Sequence, residues 1–138
     1  MVRWVCAALV MVLWASGAQA RQGVLIYKYY VTGVPEAGDM EVVALYSTAA
    51  GAAGHWCGAG EYAGRYLGAS NSDRIYLTHP IGPSRFRSSG KGVGFSLSPG
   101  DDVLQASTAG KGVLSETQIG ANLSVSKARS LCDFTIAN

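Results

Sequence analysis

The chain is short of charge. Asp, Glu, Lys and Arg make up 14% of its 138 residues, eleven basic against nine acidic, for a net charge of +2. A balance so near neutral builds no general field for nucleic acid or anionic lipid, and no nucleic-acid partner is expected. Histidine occurs twice, at His55 and His79, and cysteine three times, at Cys6, Cys57 and Cys132. That inventory holds no C-x-x-C pair and no C-x-x-C-H haem attachment. Lys91 and Lys111 follow glycines, but neither precedes Ser or Thr, so there is no Walker-type phosphate loop. Long apolar runs are also absent after the first twenty residues. No stable membrane insertion is expected beyond that point.

Those first residues, MVRWVCAALVMVLWASGAQA, combine a single early arginine, an apolar run, and Ala18-Gln19-Ala20. This is the pattern of a cleaved secretory signal. The run is shorter than the about 20 residues a permanent span requires. Cys6 lies inside it rather than at its end, which argues against a lipid anchor. The expectation is a signal peptide over 1–20 and a single exported domain over 21–138, periplasmic or secreted. Arg3 leaves with the signal, so ten basic residues face nine acidic ones and the net charge falls to +1. A hydrophobic content of 49% with sparse charge is that of a folded domain.

Two cysteines then remain. In an oxidising compartment the simplest state of Cys57 and Cys132 is a disulfide. It would close a long loop, and in the chain-entropy model would stabilise by about 3–5 kcal/mol.

GVLIYKYYV (23–31) is dense in β-branched and aromatic residues and predicts a strand. The turn cluster VPEAGD follows, then MEVVALY (40–46), a second strand forming a hairpin with the first. STAAGAAG (47–54) reads as a loop. Trp56, Ala59, Ala63, Tyr66 and Leu67 recur at helical spacing, predicting a helix over 55–67 with Gly68 as its C-cap. DRIYLT (73–78) and VGFSL (93–97) predict two more strands, separated by the loop IGPSRFRSSGKG. Residues 103–120 show no period. SVSKARSLC (124–132) predicts a second helix with Ser124 as N-cap, and Phe134 and Ile136 an extended tail. SGKGVG (89–94) and AGKGVL (109–114) read as two turns of similar composition, since a solenoid needs about three repeats or more. The sum is an α+β fold: a small antiparallel sheet of about four strands, two helices on one face, and one disulfide.

Several chemistries compete for HWCGAGEYAG (55–64). Cys57 at a helix start could be a nucleophile with His79 as base, oriented by Asn71, Asp73 or Asp101. That small cysteine hydrolase is the alternative to a binding role, and it needs Cys57 reduced. Gly58, Gly60 and Gly64 do not follow a strand directly, as a dinucleotide cradle requires, so no cofactor is expected. His55, Cys57, His79 and Cys132 could form a four-ligand metal set on paper, but no spacing favours it, and no metal is expected. Glu61 and Asp73 are a candidate carboxylate pair for cell-wall sugar hydrolysis. Outside this stretch, Arg85, Phe86, Arg87 and Lys91 form a basic loop able to grip a carboxylate or phosphate. Tyr27, Tyr29, Tyr30 and Tyr46 could add binding surface. The expected role is therefore non-catalytic: an exported protein binding a partner protein or small anionic ligand.

At HWCGAGEYAGRYLGA the chain resembles a group of short exported proteins of alphaproteobacterial genomes. They share W-C-[GA]-A-[GA]-[DE]-Y-A, a strand like Arg74-Ile75-Tyr76, then Gly82-Pro83-Ser84. A late helix like Leu123-Ser124-Val125-Ser126-Lys127-Ala128 leads to a C-terminal cysteine. The resemblance covers roughly residues 40 to 134. It implies export and a two-cysteine layout that fits a bridge, and it carries no activity.

Overall fold

The structure is a computed structural model describing residues 23–45 and 51–133. The expected signal peptide, Tyr46 and the tail with Phe134 and Ile136 lie outside the described residues.

The stretch expected as one strand is two. β1 (Val24–Ile26) and β2 (Tyr29–Val34) pair antiparallel, with Ile26 opposite Tyr29, around the two-residue turn Tyr27-Lys28. Such a tight hairpin turn needs a left-handed residue, and Tyr27 supplies it at φ 54°. No Gly or Asn marks the turn, so sequence patterning reads straight through it. β2 returns through a 3-10 turn, Pro35–Ala37, closed by Gly38, into β3 (Asp39–Ala44).

The chain then crosses the sheet as α1 (Gly51–Tyr66). β4 (Arg74–Pro83) and β5 (Lys91–Ser96) form a second hairpin. The unpatterned region contains α2 (Asp101–Gly110), followed by the short β6 (Asn122–Ser124) and α3 (Val125–Ser130). Ser124 caps α3 as expected, accepting the Lys127 N–H at 3.1 Å. The sheet is antiparallel throughout, in the order β1-β2-β3-β5-β4-β6. The fold is thus α+β with one antiparallel sheet and one disulfide, as expected. Among the described residues, six strands and three helices replace about four and two.

α1 and α3 share one face of the sheet, over Tyr29, Val31, Met40, Val42, Ile75, Leu77, Val93 and Phe95, all fully buried. Ten consecutive α1 residues, Gly54 to Ala63, are buried, so the helix is enclosed on most of its circumference. The glycines that weaken its intrinsic propensity are what let it sit there. A Cβ on Gly58 would lie 2.9 Å from Val42 of the sheet, and one on Gly60 2.8 Å from Ala128 and the Arg129 N–H of α3. Trp56 meets Phe95 edge-on at 4.7 Å, and its Nε1–H donates to the Ser115 carbonyl at 2.7 Å. Cys57 and Cys132 form the disulfide, with Cα atoms 4.9 Å apart.

Candidate functional site

The opposite face of the sheet carries the other half of each strand's alternation: Tyr30 and Thr32 of β2, Asp39, Glu41 and Val43 of β3, Gly92, Gly94 and Ser96 of β5. Among the described residues no long helix spans it. α2 covers the β4–β6 side, tied down by Asn122, whose side-chain amide donates to the Ser107 and Gly120 carbonyls and whose Oδ1 accepts the Arg74 Nε–H. The β4–β5 loop folds back over the β2–β3–β5 side.

Glu41 holds that loop. It is 2% exposed. The Ser84 hydroxyl donates to its Oε1 at 2.5 Å and the Arg85 N–H to its Oε2 at 2.7 Å, with the Arg85 guanidinium 3.6 Å away. Ser84 Oγ in turn accepts the Arg87 N–H at 3.0 Å. A buried carboxylate is tolerable only when its lone pairs and charge are met in this way. Room for it comes from Gly92, where a Cβ would lie 2.6 Å from the Glu41 carboxyl carbon. Gly94 does the same for His79 and the Arg85 guanidinium. Two glycines two residues apart in β5 thus leave a trough that three charged or titratable side chains fill.

The expected loop residues are together and half committed. Arg85 lies against Glu41 and over the Phe86 ring at 5.1 Å. Arg87 stacks on Tyr30 at 4.6 Å. Phe86 is exposed, and so is Lys91, which opens β5 opposite Pro83. Of the tyrosines, Tyr29 is buried under α1 and Tyr27 is exposed in its turn. Tyr30 therefore shares a surface with the arginine loop, and Tyr29 does not.

His79 sits at a bulge in β4, with Thr78 Oγ1 3.0 Å from its Nδ1. Partial burial, then the nearby Arg85 charge, lower its pKa against the opposing pull of Asp39 and Glu41. It borders a cavity of about 310 Å³ lined by Asp39, Thr78, Ser96, Ser98, Asp102 and Val103, among others.

The remaining candidates are dispersed. Cys57 is bonded to Cys132 on the helical face, and the sheet separates it from His79, so the hydrolase pair is not assembled. Asp73 accepts the Ser70 N–H and Asn71 the Ser126 N–H through its carbonyl, both in the α1–β4 turn, away from His79. Asp101 opens α2, but Asp102 is the residue that lines the cavity. Glu61 is buried between Arg129 (3.1 Å) and Arg65 (2.7 Å), committed to α3 and its own helix rather than to Asp73. His55 is buried at the start of α1. Its Nδ1 lies 2.8 Å from the Gly51 carbonyl and 3.1 Å from Glu116. Burial lowers its pKa, outweighing the Gly51 and Glu116 contacts that raise it. Among the described residues no three His, Cys, Asp or Glu side chains converge on one point.

Sequence reasoning passed over Glu41 and Ser84. The available signals were one acid inside the apolar run MEVVALY, and the Gly-x-Gly of KGVGF at strand spacing. The chain matches no family model, no curated protein and no solved structure.

Proposed function

We propose that the chain is an exported, non-catalytic binding protein, braced by its disulfide, whose ligand surface is the Ser84–Gly90 loop with Lys91. The ligand is a small anion or an acidic patch on a partner protein. The observation that carries this reading is the Glu41 strap: a buried carboxylate fixes the backbone of a loop whose tip bears Phe86 and Arg87. A preorganised loop loses less freedom on binding than a mobile one. Arg85 is partly neutralised by Glu41, so Arg87 and Lys91 supply the available charge. A guanidinium held over the Tyr30 ring keeps its charge and N–H donors, which a carboxylate or phosphate can meet. The disulfide suits an oxidising compartment. Among the described residues no helix is long and apolar enough to cross a membrane.

The test is calorimetric titration of the oxidised protein with citrate at low ionic strength. Saturable binding is expected, weakened about tenfold by Arg87→Ala and abolished by Arg87→Ala with Lys91→Ala, with little change in Tm. Affinity indifferent to both substitutions would remove the proposal.

A further inference from the structure

We infer that the cavity between the paired ends of β3 and β5 and the start of α2 is a second binding site, for a small hydroxylated amine. Its location and chemistry differ from those of the arginine loop. The cavity of about 310 Å³ is at the small end of ligand pockets, enough for a six-carbon polyol but not for a nucleotide or a peptide.

The lining selects the ligand's charge. Asp39 and Asp102 contribute two carboxylates; among the described residues no Lys or Arg lines the cavity, and the Arg85 guanidinium behind His79 is paired with Glu41. His79, its pKa lowered, is neutral at pH 7 and offers no compensating charge. The N-terminus of α2 borders the space through Gly100, and that end of a helix ordinarily attracts anions. Here Asp101 and Asp102 stand in its first turn and already offset it. A cation is therefore favoured. A divalent metal is not, since it seeks more hard oxygen ligands than two separate carboxylates supply.

Hydroxyl groups select the rest. Thr78, Ser96 and Ser98 line the same space. Ser96 is fully buried behind the cavity wall, where its Oγ accepts the Ser98 N–H at 3.0 Å and so holds the Ser98 turn in place. The imidazole of His79 adds a further polar group. Val103 and Pro99 give an apolar side against which a carbon chain can lie. Carboxylates for an ammonium, hydroxyls for hydroxyls and a small apolar wall match an amino sugar or amino alcohol.

Three polyols of one size isolate the charge: N-methylglucamine (cation), sorbitol (neutral) and gluconate (anion). Each is titrated into ¹⁵N-labelled oxidised protein at pH 7.5. N-methylglucamine is expected to shift the amides of Thr78, His79, Ser96, Ser98 and Asp102 saturably. Sorbitol should bind the same residues at least about tenfold more weakly. Gluconate should leave them unmoved; gluconate shifts confined to Arg85–Lys91 would belong to the loop instead. Asp102→Asn, on the exposed first turn of α2, should weaken N-methylglucamine about tenfold with an otherwise unchanged spectrum. Asp39→Asn gives an independent second variant, its fold checked by the same spectrum. Sorbitol binding as tightly as N-methylglucamine, shifts that do not saturate, or affinity untouched by both variants would overturn the inference.

Discussion

Glu41 has the largest consequence of any single side chain on the open face. Removing it as Glu41→Ala would strand the Ser84 hydroxyl, the Arg85 N–H and the Arg85 guanidinium together. A loss of about 2–4 kcal/mol is expected in urea unfolding. Glu41→Gln keeps the shape and part of the hydrogen bonding and should cost less; equal losses for the two would place the stabilisation in packing rather than in the strap. His55 governs a different property, the response to acid. Burial favours its neutral form, so its folded pKa lies below that of the unfolded chain, ordinarily near 6.5. Its contribution is fully present above that value. As pH falls below about 6.5 the unfolded chain takes up the proton first, and stability declines until the folded pKa is passed. His79 adds a smaller effect of the same sign, being less buried. His55→Gln should flatten the stability–pH curve just below about pH 6.5; an unchanged slope would mean that the carboxylates dominate there.

Elements were legible in the sequence where one face is apolar and its neighbour polar. β3, β5 and α3 fall close to the positions that alternation and capping predict. α1 shows in its period but begins at Gly51, four residues early, because Gly54 packs against Tyr29 and Ala52 and Ala53 are partly buried against the core. α2 left no signal because only Val103 and Gly110 of it are buried. β6 is three residues long and is held by pairing with Arg74–Tyr76, a long-range fact. The candidate site divided similarly. The basic loop stood out as composition, whereas Glu41 acquires meaning only once β5 places two glycines beside it. The close approach of α1 and α3 gives its own prediction. Gly60→Ala gains helix propensity of up to about 1 kcal/mol. It must also push Ala128 and the Arg129 backbone aside, at about 1–3 kcal/mol. Net destabilisation is expected by urea unfolding, and net stabilisation would show that the helix pair has slack.

At the scale of the whole molecule, the two faces of the sheet divide the work. Of the residues that carry the sequence resemblance, Trp56 through Ala63 are buried, as are Cys57 and Cys132; they build the helical face and its bridge to the chain's end. The face opposite has a strapped basic loop, a polar cavity and one covering helix. The central claim is that recognition belongs to that second face. An amide map of the oxidised, ¹⁵N-labelled protein titrated with inorganic phosphate tests it most directly. The account predicts saturable shifts at Arg85, Phe86, Arg87 and Lys91, with α1 and α3 silent. Saturable shifts centred on α1, or none at any residue of the loop while the protein stays folded, would contradict it.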